Sequence, residues 1–292
     1  MPRSFRLSSR NNKKRVAIVT PMYRLPLTAA EQVSLRHLSH YLGQHQRYWL
    51  APKSLFIPQE LLPQRKVIRF ADSYFTGLES YNRLMLSPSF YARFRDYEFI
   101  LIYQLDSLVF SRDLESWCDK GWDYVGAPWF KGHRGDTSNG LWAVGNGGLS
   151  LRKVSAFLNV LRTRRIWRSA MEVANETPQF LRYPKIRKLF ILSKAIFHAL
   201  GYKNTIGYFI RTFPQYEDLF WAFHASRIQP DFTIPTPDEA LPFSFEYAPR
   251  YCFEKNSRQL PFGCHGWYKI DPEFWRPFLL ASPRSADSQA RT

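Results

Sequence analysis

The chain has little of what several common designs require. Three cysteines among 292 residues, Cys118, Cys252 and Cys264, cannot all pair and are too few for a disulfide scaffold. A reducing compartment is the simpler reading. Long hydrophobic runs are also missing: no stretch reaches the roughly 18 uninterrupted apolar residues that a membrane span needs. The nearest contender, Leu189 to Tyr202, is broken by Lys194 and His198. Acids are scarce, 24 Asp+Glu against 41 Lys+Arg, which leaves a net charge of +17. Such an excess favours anionic partners: nucleic acid, phosphorylated substrates or an acidic membrane face. No G-x-x-x-x-G-K-[ST], G-x-S-x-G or H-E-x-x-H occurs. Triphosphatase, elbow-type serine hydrolase and zincin are thereby disfavoured. Cys252, Cys264 and His265 lack the spacing of a structural zinc site.

What is present suits a folded α/β protein. Apolar residues make up 45% of the chain and charged residues 22%, enough for a core and against disorder as the main state. Residues 1–14 read as a flexible basic arm and 282–292 as a disordered tail. Between them, residues 15–281 read as one domain with a basic helical insertion at about 160–212. The basic start runs straight into VAIVTPMY, too short an apolar run for a signal segment, so a cytoplasmic location is expected.

Strand and helix patterns alternate through the first half. Val16 to Thr20 is a β-branched run ended by Pro21, as in a buried parallel strand. Thr28 to Leu42 has helical spacing, with Thr28 and Glu31 in a capping-box pattern. Tyr48 to Pro52 and Val67 to Phe70 follow as strands, and Ser80 to Phe94 as helix interrupted at Pro88. Phe99 to Phe110 is the most apolar segment. This rhythm predicts a mostly parallel central sheet flanked by helices. Ligands of such sheets bind at the carboxyl ends of strands, here just after Val19, Leu50 and Ile102.

Four segments carry groups with chemistry. Asp106 interrupts the apolar run from Phe99 to Phe110, where an ionised carboxylate must be solvated, paired or metal-bound. Val144 to Lys153 contains Gly145, Asn146, Gly147 and Gly148, which permit close backbone approach and offer an amide, or else form a tight turn. Glu217 and Asp218 open a helical pattern, where acids ordinarily offset the helix dipole. In PFGCHGW, His265 stands between cysteine and glycine, as a ligand or a loop residue. Two basic clusters, Arg162 to Arg168 and Arg182 to Lys194, read as a solvated face or as a surface for anionic lipid. Aromatics sit in core-like runs and are not interleaved with Lys and Arg, so no nucleic acid is expected as partner.

Taken in order, VAIVTPMYR, YNRLMLSPSFYARFRDYEFILIYQLDSLVF, WDYVGAPWF, VGNGGLSLRK, QYEDLFWA and PFGCHGW resemble a GT-A glycosyltransferase. More narrowly, they resemble a bacterial and fungal family of glycosyltransferase-like proteins, mostly unassigned. The resemblance implies a nucleotide-sugar donor and a D-x-D motif that binds Mn²⁺ or Mg²⁺. The matching tripeptide is Gln104-Leu105-Asp106, so Gln104 could only hydrogen-bond the donor, while Asp106 and His265 would be the metal ligands. It further implies Asp218 as general base of an inverting transfer, with Glu217 positioning the acceptor. Thr20, Pro21, Tyr23, Arg83, Asn146 and Gly147 would line the donor. The acceptor would be a glycan or lipid-linked hydroxyl of a surface polysaccharide or lipopolysaccharide, met at the inner membrane face. A non-catalytic nucleotide-sugar or carbohydrate-binding protein on the same fold is the other reading.

Overall fold

The computed structural model describes residues 13–63, 65–132, 135–169, 172 and 184–281. Nearly all of the expected basic arm, the expected tail and Arg182 lie outside them, as do the side chains of residues 184–190 and 195.

A six-stranded sheet, in the order β3-β2-β1-β4-β9-β6, runs through the middle of the molecule. Its strands are β1 (Lys14–Pro21), β2 (Gln46–Pro52), β3 (Arg65–Phe70), β4 (Tyr97–Tyr103), β6 (Tyr124–Val125) and β9 (Leu149–Lys153). The pairs β2–β3, β1–β2 and β1–β4 are parallel, and β9 is antiparallel to both β4 and β6. Successive side chains of a strand point to opposite faces, and the core obeys this. Ala17 and Val19 of β1, with Ile100 and Ile102 of β4, face one apolar cluster. Val16 and Ile18, with Phe99, Leu101 and Tyr103, face another. A sheet apolar on both faces needs helices on both, which is why these strands read as continuous apolar runs.

Helices α2 (Leu78–Met85), α3 (Pro88–Ala92), α5 (Val154–Leu161) and α8 (Glu217–Phe223) bring Leu84, Phe90, Phe157 and Trp221 to the first face. Helices α1 (Ala29–Leu42) and α4 (Leu114–Asp119) bring Leu38 and Trp117 to the second. The expected capping box starts α1: Thr28 Oγ1 accepts from the Glu31 N–H, and Glu31 Oε2 accepts from the Thr28 N–H at 2.8 Å. Helix α6 (Pro184–Ala199) and helix α7 (Ile206–Arg211) lie within the segment expected as a basic insertion.

Two smaller sheets stand beside the large one. In one, β5 (Ser107–Val109) pairs antiparallel with β11 (Gly263–His265), which is parallel to β10 (Ser244–Phe245). The other is the hairpin of β7 (Ala127–Phe130) and β8 (Leu141–Gly145). The apolar run from Phe99 to Phe110 is therefore two strands, β4 and β5, separated by the turn Gln104 to Asp106. After β3 the chain crosses back to place β4 on the other side of β1. Strand order reverses there. A crevice opens between the loops that leave the carboxyl ends of β1 and β4, where sheets of this kind hold ligands.

Candidate active site

Two adjoining cavities occupy that crevice. The first, about 490 Å³, is lined by Pro21 at the end of β1, by Met22, Tyr23 and Arg24 after it, and by Gln104, Leu105 and Asp106 after β4. The second, about 350 Å³, is lined by Asn146, Gly147, Asp218, Glu246 and His265 among others. Leu78, Tyr81, Gln104, Asp106 and Lys269 line both, so the two meet at these five residues.

The structure thus gathers most residues picked out from the sequence. Pro21 and Tyr23 line the first cavity, while Thr20 is buried one residue inside β1. Arg83 stands apart: it lines neither cavity, is 60% exposed and pairs with Glu79 at 3.3 Å along α2.

At the junction the register of β5 with β11 sets His265 opposite Ser107, and so beside Asp106. Asp106 Oδ1 lies 3.2 Å from His265 Nε2, and its Oδ2 accepts from Lys269 Nζ at 2.7 Å. The imidazole Nδ1 lies 3.1 Å from Glu246 Oε1 on its other side. Burial alone would raise the Asp106 pKa, yet the hydrogen bonds and charges of His265 and Lys269 hold it well below the usual carboxylate range. Burial likewise opposes charge on His265, but Asp106 and Glu246 raise its pKa to about 10. The ring lies between two carboxylates.

The glycine run has specific work here. A Cβ on Gly148 would sit 2.0 Å from His265 Nε2, and one on Gly147 would sit 2.8 Å from Glu217 Oε1. Asn146, at φ 115, turns the chain, and its Oδ1 accepts from the N–H groups of Gly148 and Leu149 at 2.6 and 3.0 Å. Its amide oxygen therefore builds the turn. Its Nδ2 lies 3.2 Å from His265 Nδ1 at the wall of the second cavity.

The adjacent acids Glu217 and Asp218 have different surroundings. Glu217 is buried, and Arg152, itself fully buried on β9, donates to both its oxygens at 2.7 and 3.0 Å. Arg152 also donates to Tyr91 Oη and Ser150 Oγ, and the Glu217 N–H donates to Asn82 Oδ1 at 3.1 Å. With both oxygens bound by Arg152, Glu217 fixes the start of α8 to the sheet, and it also lines the second cavity. Asp218 lines the same cavity. Burial, followed by repulsion from Glu217 and Glu246, pushes its pKa up to about 7. A carboxylate so poised can take a proton near neutrality.

Sequence reasoning missed Arg152, Glu246 and Lys269. Lys269 had a signal, four residues beyond His265 in the same loop. Arg152 reads as one more residue of an alternating strand, and nothing local marks Glu246.

A family model described as "Protein of unknown function (DUF5672)" matches residues 64–265. The chain belongs to that family. No curated protein matches it. Among solved structures, it is similar to the apo form of the glycosyltransferase GlyE of Streptococcus pneumoniae TIGR4, with 14% identity and a TM-score of 0.41. That match covers 92% of this chain but only 61% of the pneumococcal chain. An active-site mutant of LgtC matches with 11% identity over 92% of this chain and 98% of its own, at a TM-score of 0.43. A glycosyltransferase involved in glycosylation of the major capsid of PBCV-1 matches with 11% identity over 86% and 92%, at 0.37. At such TM-scores the likeness says nothing of activity.

Proposed function

We propose that this protein is a glycosyltransferase that moves a sugar from a nucleotide donor to an acceptor hydroxyl. The observation that carries this reading is the pair of adjoining cavities at the strand-order switch, with Asp218 in the second. The nucleoside fits the first cavity against Pro21 and Tyr23. The diphosphate then falls at Gln104, Asp106 and Lys269, and the sugar enters the second cavity beside Asn146 and Gly147. There Asp218 accepts the proton of the acceptor hydroxyl as its oxygen attacks the anomeric carbon. The bond from that carbon to the diphosphate breaks, and its electron pair leaves with the diphosphate. A base on the attacking side gives inversion.

The resemblance implies a divalent cation on Asp106 and His265. Their 3.2 Å separation is near the edge of an octahedron with bonds of about 2.1 Å. The rest of the donor set does not fit. Gln104 stands where a second acid would be, and Lys269 holds the other oxygen of Asp106. His265 Nε2 is packed against Gly148, where a Cβ would come within 2.0 Å of it. Among the described residues no group of three or more His, Cys, Asp or Glu side chains could hold a metal ion. The step above is therefore written without one.

The acceptor we propose is a glycan or lipid-linked hydroxyl of a surface polysaccharide, reached by peripheral attachment to anionic lipid in the cytoplasm. Among the described residues no helix is long and apolar enough to cross a membrane. Helix α6 and the turn after it nevertheless expose Leu192, Ile196, Phe197, Leu200 and Tyr202. Such apolar residues beside Lys194, on a chain of net charge +17, suit an anionic bilayer surface. Flotation with anionic liposomes at low salt, lost at high salt and absent with neutral lipid, is the expected result. Equal binding to both lipids would remove the electrostatic part.

Thermal stabilisation by a panel of nucleotide sugars, followed by a hydrolysis and transfer assay on the hit, tests the main reading. Stabilisation should grow as RT ln(1 + [L]/Kd). Binding without turnover under any acceptor would leave a nucleotide-sugar-binding protein. No stabilisation by any member would remove the reading.

A further inference from the structure

We propose that Lys269 takes the place of the divalent cation, so that this site binds a nucleoside diphosphate without metal. The inference rests on the donor-binding reading above and assigns the group that holds the diphosphate within it.

Position comes first. Lys269 is one of the few residues that line both cavities, so it stands where a ligand spanning them must pass. Its place is fixed from several sides. The Trp267 N–H donates to the Asp106 carbonyl at 3.1 Å, tying the loop after β11 to the turn after β4. Gly266, at φ 70, turns that loop, and its carbonyl accepts from the N–H groups of Lys269 and Ile270 at 2.9 and 2.8 Å. Asp106 then holds the ammonium at 2.7 Å.

Chemistry comes second. An ammonium has three donors and no acceptor. One N–H of Lys269 goes to Asp106, and two remain for other oxygens. The side chain is 59% exposed, so these donors open on the crevice. Gln104, which lines both cavities with it, offers a neutral amide that can donate to phosphate oxygen and brings none of the negative charge of a second carboxylate. A carboxylate that holds a cation in place, a neutral amide where a second carboxylate would be, and an open ammonium together describe an anion site and not a cation site. During transfer, the oxygen left by the anomeric carbon keeps the bonding electron pair. Lys269 Nζ–H donates to the diphosphate as that charge develops, while the acceptor proton goes to Asp218.

Calorimetric titration of UDP, GDP, ADP and dTDP into the full chain tests this, each in excess EDTA and again in MnCl₂, with the matching monophosphates alongside. At least one diphosphate should bind with affinities in the two conditions that agree within about threefold. Lys269→Gln should weaken that diphosphate roughly 10- to 100-fold in EDTA, the loss of one charge-assisted contact. It should leave the monophosphate within about threefold, and Lys269→Arg should restore most of the loss. Melting curves of both variants check that the fold is kept. Binding that requires Mn²⁺, or a Lys269→Gln affinity within twofold of the parent, overturns the proposal while the donor-binding reading stands. Failure of every nucleotide in both conditions removes that reading and this inference with it.

Discussion

Asp106 and Asp218 are the same side chain, both lining the second cavity, and their surroundings drive them apart. Asp106 is ringed by cations: His265 at 3.2 Å and Lys269 at 2.7 Å keep it ionised despite burial. Asp218 sits among anions, with burial, Glu217 and Glu246 pushing its pKa to about 7. Paired carboxylates whose pKa values diverge have divided their tasks. The first is a permanent anchor for a cation, and the second can carry a proton. Beneath them Arg152 absorbs the charge of Glu217, which would otherwise add to the anionic corner.

The largest effect should come from breaking that support. Arg152→Met leaves Glu217 buried without a partner, at a cost of about 3–5 kcal/mol in urea unfolding. The double variant Arg152→Met with Glu217→Leu should recover a large part, because no uncompensated charge remains. A single variant that loses under about 1 kcal/mol would show that water reaches Glu217 and that α8 is not pinned by this pair.

Next is the anionic corner itself. Asp218→Asn should lower turnover about 10²–10⁴-fold, with nucleotide affinity nearly unchanged, since the carboxylate acts on the acceptor proton. Stability should move the other way. The carboxyl titrates at 3.8 when exposed and about 7 in the fold, so the native state favours its protonated form. That contribution is full below pH 3.8 and is lost as pH rises through about 7. The Asn variant escapes this loss, so its melting temperature should exceed the parent's at pH 8 and approach it at pH 4. A parent that gains stability between pH 4 and 8, where the variant does not, would reverse the sign and sink the assignment.

A smaller change sharpens the same contrast. Glu246→Gln removes one negative neighbour of Asp218, and the acidic limb of the kcat–pH profile should move to lower pH by less than about one unit. Glu246 also faces His265 at 3.1 Å, so the nucleotide-binding end should feel the substitution too, through a loosened imidazole ring. A profile that stays in place would mean that the titrating group seen in turnover is not Asp218.

The fold was more legible than the site, for a physical reason. Strand runs such as Val16 to Thr20 and the Thr28–Glu31 capping box are written in consecutive residues, and both form as expected. Asp106 could be found because a charge inside an apolar run needs a partner. That partner could not be found, because Lys269 meets it across 163 positions of sequence. Arg152 and Glu217 meet across 65, each looking ordinary in its own strand or helix. Glu217 shows the limit: an acid at a helix start shows its charge in the sequence but not which buried arginine takes it up. Arg83 shows the converse, a cation in a conspicuous motif that helix geometry turns to solvent.

The smallest expected effect belongs to that residue. Its guanidinium is 60% exposed and its recorded partner, Glu79, is 87% exposed, one helical turn away. Pairs of this kind contribute only about 0.3–0.5 kcal/mol to a helix. Neither cavity touches Arg83, whereas Asn82, one position earlier, faces inward to the Glu217 N–H. Arg83→Ala should therefore change nucleoside diphosphate affinity less than about twofold, against the roughly 10- to 100-fold loss expected for Lys269→Gln. Measured side by side in the same low-salt buffer, the two variants separate a cation that touches the ligand from one that only adds to the protein's field. Raising the salt should shrink any effect of Arg83→Ala further, because screening acts first on exposed charges. A tenfold loss in Arg83→Ala would mean that α2 turns this side chain into the crevice when nucleotide binds.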